Sequence, residues 1–185
     1  MRKRGDIIDI VQGRLFAAAL SLLVLFALIS CDKEDRENIY SSQDEEVEQY
    51  AKRMEERYRT LFNNGAYRIV EKEGVGAPLA KGDSLYFYYS AYTFSSGAGS
   101  IYATNIKEVA ERYSLYTDGK PIRIEYGKEQ LLSGLQSGLE GVTKGENCII
   151  VFSSRYGHGN QSVFNLPKLT SLYFEIKVDN IIKNE

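Results

Sequence analysis

The pattern of hydrophobic and polar positions divides the chain into four regions. Residues 15–30 are uncharged and mostly apolar, and residues 32–46 are polar and mostly charged. From Gln43 to Phe62, apolar residues recur at steps of three and four, which predicts an amphipathic helix. From Ala66 onward, runs rich in β-branched and aromatic residues predict strands that are separated by glycine-containing turns.

The apolar stripe of the predicted helix consists of Val47, Ala51, Met54, Tyr58 and Leu61. These residues fall on one helical face, and the other faces are charged. The stripe covers two heptads at most, which is short for a stable coiled coil. Two interpretations stay open: the stripe packs against its own domain, or it joins two copies of the chain into a homodimer through residues 47–61. The turn Asn63–Gly65 is expected to end the helix.

Five segments are predicted to form strands, and one helix interrupts them. The strands are residues 66–74, 83–94, 120–127, 146–152 and 171–182. Leucines at helical spacing predict the helix from Glu129 to Leu139, and a shorter helical pattern covers residues 106–113. We therefore predict an α+β fold in which a twisted antiparallel β-sheet wraps over one short helix and leaves an apolar concavity between them.

Residues 1–30 are interpreted as a targeting segment. A positively charged flank precedes an apolar run that is shorter than the ~20 residues of a membrane span. The run ends in Leu28–Cys31, which resembles the bacterial lipobox, where the cysteine is lipidated and becomes the new N-terminus. An uncleaved anchor helix is the alternative interpretation.

The lipobox interpretation predicts four parts of the chain and a location. The parts are a lipoprotein signal peptide (1–30), the lipidated Cys31 with a flexible tether (31–42), the N-terminal helix (43–65) and the folded domain (66–185). We expect the lipid to anchor the protein in the cell envelope of a Gram-negative bacterium, either on the periplasmic side of the outer membrane or at the cell surface.

Composition excludes several kinds of site. The net charge of −2 provides no basic field for nucleic acid. One histidine and two cysteines are too few for a zinc site of the usual type, and we predict neither a metal nor a cofactor. If Cys31 is lipidated, Cys148 has no disulfide partner, so we expect it to be a buried apolar residue. The single histidine, His158, is expected on the surface of a loop.

The order of residues in the second half of the chain resembles that of a known family. The sequence from Pro121 is PIRIEYGKEQLLSGLQSGLEGVTKGENCIIVFSSRYGHG, and NLPKLTSLYFEIKVDNI follows after a short loop. Upstream, the segment from Gly82 is GDSLYFYY. These segments resemble the FKBP-type peptidyl-prolyl cis-trans isomerases from about Tyr67 to Ile182. The resemblance implies an FKBP-like sheet wrapped over a helix that Gly134 and Gly138 allow to pack closely.

By this resemblance, nine residues form the substrate pocket. They are Tyr89, Tyr102, Ile122, Leu131, Leu132, Leu135, Tyr156, Leu166 and Phe174. The resemblance implies that the Leu132 backbone N–H and the Tyr156 hydroxyl donate hydrogen bonds to the ligand. Two departures from the family pattern bear on catalysis. Ala103 occupies a position where the family has aspartate, and Leu135 occupies the position where the most active members carry tryptophan.

The implied activity is rotation about X-Pro peptide bonds, in which no covalent bond breaks. An apolar wall and one or two hydrogen-bond donors are sufficient for it, so the absence of a nucleophile motif is expected. We predict a peptidyl-prolyl isomerase that assists the folding of envelope or secreted proteins, with proline-containing polypeptides as partners and the membrane as anchor. The alternative is an FKBP-like chaperone or protein-binding module whose catalysis is weak.

Overall fold

The computed structural model describes residues 33–184. This part of the chain divides into two units after Ile39, and the second unit contains the sheet. The predictions for residues 1–32, including the lipobox and Cys31, lie outside the described residues. Among residues 33–184, no helix is long and apolar enough to cross a membrane.

The first helix, α1, occupies residues 33–55 of the described chain, whereas the predicted helix covered residues 43–62. Its described part includes residues 33–42, which belong to the segment that we predicted as a flexible tether. Its end is closed by Tyr58, whose backbone N–H donates to the Met54 carbonyl at 2.9 Å. The expected last turns are wrong because the following residues form a strand. Asn64 and Gly65 have φ angles of 42° and 83°, which is the backbone of a two-residue hairpin turn rather than of a helix end.

Within the described residues, seven strands form one antiparallel sheet. They are β1 (Arg59–Asn63), β2 (Ala66–Lys72), β3 (Ser84–Phe94), β4 (Ala98–Thr104), β5 (Ile122–Glu125), β6 (Asn147–Phe152) and β7 (Leu172–Ile182). Their order is β1-β2-β6-β7-β3-β4, and β5 pairs with β3. The five predicted strands and the α+β fold are confirmed, whereas β1 and β4 were not predicted.

Two further helices and one 3₁₀ turn connect the strands. Helix α2 (Lys107–Tyr113) matches the helical pattern predicted for residues 106–113. Helix α3 (Ser133–Leu139) begins later than the predicted Glu129, because the N-cap residue Leu132 has an extended ψ angle of 136°. A 3₁₀ turn (Ser154–Tyr156) follows β6.

The sheet has an inner face that packs against α3 and an outer face that packs against α1. Strand β7 shows the division, because Phe174 and its alternate neighbours belong to the inner core whereas Tyr173 belongs to the outer core. Cys148 lies in the inner core with 1% of its surface exposed, which confirms the buried position expected for this thiol.

On the outer face, the apolar stripe of α1 packs against its own domain. Val47 and Ala51 are buried at 2% and 0% exposure, and Val47 and Tyr50 belong to the outer core. Tyr58 packs at the edge of this cluster although it lies beyond the helix, and Leu61 lies in β1. The structure therefore favours the first of the two interpretations, and a homodimer through residues 47–61 stays a prediction.

On the inner face, two glycines bring α3 close to β6. A Cβ atom at Gly134 would overlap the Phe152 ring, and one at Gly138 would overlap the Ile150 side chain. The close packing that we expected of these two positions is therefore confirmed. This contact fixes the height of α3 above the sheet, and the space beside α3 depends on it.

Candidate functional site

An apolar cavity of about 500 Å³ lies between the inner face and the residues around α3. The sheet contributes Phe87, Tyr89 and Ala91 from β3, Tyr102 and Ala103 from β4, Ile122 from β5 and Phe174 from β7. The remaining lining residues are Gln130, Leu131, Leu132, Leu135 and His158. No Asp, Glu, Lys or Arg lines this cavity, whose volume is within the range of about 300–1,000 Å³ usual for ligand pockets.

Aromatic rings centred on Phe174 form one wall of the cavity. Its ring lies 6.4 Å from the ring of Tyr89 and 6.4 Å, edge to face, from that of Tyr102. On its other side, Phe152 stacks at 5.8 Å with an interplanar angle of 16°. Because Phe152 also contacts Gly134 of α3, the wall and the helix are held by one continuous set of contacts.

Two alanines keep the cavity open. Ala91 is fully buried in β3, and its partner across the β3–β4 pair is Ala103. Both side chains end at Cβ, so the space in front of them stays empty. Ala103 is the position where the resemblance led us to note a missing aspartate.

Asn105 fixes the strands that carry these residues. Its Oδ1 accepts from the Tyr89 backbone N–H at 2.7 Å, and its Nδ2 donates to the carbonyls of Phe87 and Lys120 at 3.1 and 3.0 Å. The Asn105 side chain therefore holds both ends of the segment from Ile106 to Lys120, where it leaves and rejoins the sheet. None of its residues lines the cavity.

The polar groups in the cavity are neutral hydrogen-bonding groups. Burial raises the pKa of Tyr89, and burial together with the neighbouring Tyr89 raises the pKa of Tyr102. Both hydroxyls therefore keep their protons, and no residue of the described chain hydrogen-bonds to either. The backbone N–H of Leu132 likewise has no acceptor within residues 33–184, while its carbonyl accepts from Gln136 at 2.9 Å.

Seven of the nine residues predicted for the pocket line this one cavity. They are Tyr89, Tyr102, Ile122, Leu131, Leu132, Leu135 and Phe174. Leu166 does not line it, because its side chain is 4% exposed and packs inside the inner core. Tyr156 does not line it either.

Tyr156 lies at a different place from the one that the resemblance implied. The 3₁₀ turn after β6 directs its ring to Gly65 in the β1–β2 turn, where a Cβ atom would overlap the ring. Tyr156 lines a separate cavity of about 150 Å³ together with Asp44 and Glu48 of α1. Since Gly65 lies before the start of the resemblance at about Tyr67, the resemblance could not reveal this place for the ring.

Besides Ala103, four lining residues were not among the nine predicted: Phe87, Ala91, Gln130 and His158. The period-two pattern of β3 could have revealed Phe87 and Ala91, because both share the face of Tyr89. His158 was expected on the surface of a loop; it does lie in a loop, where it is half-buried and lines the cavity. The sequence signal for His158 was the dipeptide His158-Gly159, which directly follows the similar dipeptide Tyr156-Gly157.

The described residues contain no group of three or more His, Cys, Asp or Glu side chains that could hold a metal ion. The lining residues of the cavity supply an apolar wall with uncharged hydroxyl and backbone donors. Such a site suits an uncharged ligand with one or two acceptor groups.

Comparison of the sequence with known families gives a match to the FKBP-type peptidyl-prolyl cis-trans isomerases over residues 78–179. A similar curated protein is FK506-binding protein 3 of Candida albicans, which is 29% identical over 91 residues. This match covers 48% of the present chain and 21% of the Candida protein, so the chain spans about a fifth of the length of that relative.

Solved structures with a similar fold include two from Arabidopsis thaliana and one from wheat. The N-terminal domain of Arabidopsis FKBP42 matches 68% of this chain and 93% of its own, with 21% identity and a TM-score of 0.53. The match to a multi-domain immunophilin from Arabidopsis covers 70% of this chain and 47% of the immunophilin chain, with 19% identity and a TM-score of 0.57. The match to the three FKBP domains of wheat FKBP73 covers 69% of this chain and 50% of the wheat chain, with 14% identity and a TM-score of 0.55.

Proposed function

The chain belongs to the family of FKBP-type peptidyl-prolyl cis-trans isomerases, and we propose that it catalyses rotation about X-Pro bonds inside the apolar cavity. The cavity carries the proposal, because about 500 Å³ of space is lined by aromatic and aliphatic side chains without a formal charge. We propose that the proline ring enters between Phe174, Tyr102 and Leu135.

An apolar enclosure lowers the barrier to rotation for an electrostatic reason. The planar amide is stabilised by resonance that separates charge, and rotation across a barrier of ~18–20 kcal/mol removes that resonance. Water stabilises the charge-separated planar form, whereas a cavity lined by Phe87, Ile122 and Phe174 does not. Transfer of the prolyl bond from water into the cavity therefore favours the twisted state.

Neutral donors hold the peptide in place without restoring this charge separation. The Leu132 backbone N–H is available to a carbonyl of the substrate, as the family resemblance implies. Tyr89 on β3 and Tyr102 on β4 supply two hydroxyls, which remain protonated because burial raises their pKa. Fixed donors supply orientation, which is the remaining requirement for a reaction within one bound molecule.

The sequence context supports a finer proposal about substrates and location. If Cys31 is lipidated, the domain lies outside the cytoplasm, and its substrates are proline-containing envelope or secreted polypeptides whose folding it assists. The alternative is a chaperone or binding module that holds proline segments without efficient turnover. Ala103 and Leu135 favour this alternative, because they replace the polar and the largest aromatic residue of active relatives.

Isomerase activity is tested by NMR exchange spectroscopy on a blocked X-Pro peptide with the full chain in mild detergent. We expect faster cis–trans exchange that a proline-pocket macrolide abolishes. Tyr102→Phe removes one donor and should lower kcat/KM about three- to tenfold, the value of one hydrogen bond. Tyr92→Phe is the matched control, because the Tyr92 hydroxyl bonds to Glu175 on the outer face at 3.2 Å.

The three possible outcomes separate the two functions. Acceleration that Tyr102→Phe weakens and Tyr92→Phe leaves unchanged supports the isomerase and its location. Macrolide or peptide binding without acceleration supports the binding module. A folded protein that neither binds nor accelerates would overturn both.

A further inference from the structure

His158 lines the apolar cavity from a loop that is held at both ends. Gln43 of α1 accepts from the Ser154 backbone N–H at 3.1 Å and donates to the Leu169 carbonyl at 2.6 Å. The carbonyl of His158 accepts from the Gln161 N–H at 3.2 Å, and Gly159 donates to the Ser154 carbonyl at 2.8 Å. These bonds keep His158 at the cavity in the absence of substrate.

The side chains that share the cavity with His158 provide no other charge between pH 5 and 8. From β3 and β4, the titratable groups are Tyr89 and Tyr102, whose pKa values burial raises. The segment before α3 contributes neutral Gln130, and β5, α3 and β7 contribute only apolar side chains. Imidazole is the side chain whose charge changes in this pH interval.

A proton on this imidazole would change the property on which the proposed catalysis depends. The positive charge would stabilise the charge-separated planar amide beside it, and it would hold water that a proline ring must displace. A neutral imidazole offers the substrate one donor or one acceptor and leaves the cavity uncharged.

We propose that His158 is a substrate-contacting residue whose protonation state sets the rate of isomerisation, with the neutral form active and the imidazolium form slow. This inference rests on the proposed function of the cavity. It makes the domain sensitive to acidification of its surroundings through a single residue.

The first test is the pH profile of prolyl exchange, measured by NMR on a blocked peptide without groups that titrate between pH 5 and 8. The full chain should lose kcat/KM by at least about tenfold from pH 8 to pH 5. In His158→Gln, the ratio of kcat/KM at pH 8 to kcat/KM at pH 5 should fall close to one. Lys168→Gln, which removes an exposed charge from the same loop, should keep the wild-type ratio.

The second test is independent of turnover. The chain contains a single histidine, so its imidazole gives one unambiguous NMR titration. A bound proline peptide should shift the midpoint of that titration to lower pH, because the complex favours the neutral form.

The outcomes separate this inference from the proposed function. If the chain does not accelerate exchange at pH 8 but peptide still lowers the midpoint, the isomerase proposal fails and the contact with His158 stands. A His158→Gln variant that keeps the wild-type pH ratio overturns the inference. A midpoint that peptide leaves unchanged overturns it as well, whether or not the chain is active.

Discussion

The two faces of the sheet are each covered by one helix, yet they differ in how completely they are covered. On the outer face, residues 40–55 of α1 extend over about 24 Å, and Val47 and Ala51 of this helix are 2% and 0% exposed. On the inner face, the seven residues of α3 extend over only about 10 Å, whereas β3 and β7 have eleven residues each and extend over about 36 Å. The uncovered part of the inner face is where the apolar cavity lies.

Aromatic residues alone do not distinguish the two faces. The outer face has Tyr50 edge to face with Phe94 at 5.4 Å and with Tyr173 at 6.1 Å, and these rings fill the space under α1. The inner face has comparable rings around Phe174, but Ala91 and Ala103 lie beside them. A short helix and small neighbouring side chains therefore turn an aromatic cluster into a binding site.

The two faces also differ in how their helices are anchored, because α3 ends on a buried ion pair. Arg68 of β2 donates to the Glu140 carbonyl at 2.7 Å, and its Nε lies 3.6 Å from Glu146 Oε1. These two side chains are 7% and 1% exposed. The β1–β2 hairpin, which lies outside the family match over residues 78–179, thus holds the C-terminal end of α3.

The largest expected effect is therefore that of Arg68→Met. It should reduce the free energy of unfolding by about 3–5 kcal/mol, because Glu146 remains buried without a counter-charge. The double variant with Glu146→Gln should recover part of this loss. Arg53→Met is the outer-face control, since this exposed guanidinium lies 5.8 Å from the Tyr50 ring centroid and should cost less than about 1 kcal/mol. Equal losses in denaturant titrations of the two single variants would contradict the asymmetry.

The next effect concerns the open space itself. Ala103→Trp should fill the cavity and lower kcat/KM by the order of a hundredfold, because the prolyl bond can no longer reach its position. Ala98→Trp places the same side chain at an exposed site of the same strand and should leave kcat/KM unchanged. Circular dichroism and the melting temperature establish that both variants fold. Retained activity in a folded Ala103→Trp protein would exclude the cavity as the site.

Much of this architecture follows from the sequence pattern, and the exceptions have physical causes. The five predicted strands carry long runs of β-branched and aromatic residues, so local preference and tertiary structure agree. Strand β4 was not predicted because its first residues, Ala98 to Ser100, have low strand propensity. Gly99 is nevertheless required there, since a Cβ atom would overlap the Thr93 side chain and carbonyl.

The end of α1 was predicted wrongly for a different reason. Leu61 continues the helical spacing of the stripe, but pairing with Arg68 in the β1–β2 hairpin overrides it. The site residues on strands and on α3 were predictable because their spacing is fixed by secondary structure. Tyr156 and His158 lie in an irregular turn, where a difference of two residues decides which ring enters the cavity.

Two neighbouring residues of β7 test the difference between the faces within one strand. Phe174→Leu and Tyr173→Leu should each lower the free energy of unfolding by about 1–2 kcal/mol, since each removes a ring from an aromatic cluster. Only Phe174→Leu should also weaken the binding of a proline peptide, by about tenfold. Calorimetric titration measures the affinity and denaturant titration the stability. A comparable loss of affinity in Tyr173→Leu would mean that the outer face contributes to the site.

The smallest expected effect is that of Tyr156→Phe. The family resemblance implied that this hydroxyl donates to the bound ligand, and loss of such a bond would lower kcat/KM about three- to tenfold. The structure instead packs the ring against Gly65, beside the smaller cavity near Asp44. We therefore expect Tyr156→Phe to change kcat/KM by less than about twofold, whereas Tyr102→Phe should show the loss of about three- to tenfold. If Tyr156→Phe shows the larger loss, the loop must rearrange when substrate binds, because the ring of the free protein packs against Gly65 and does not line the larger cavity.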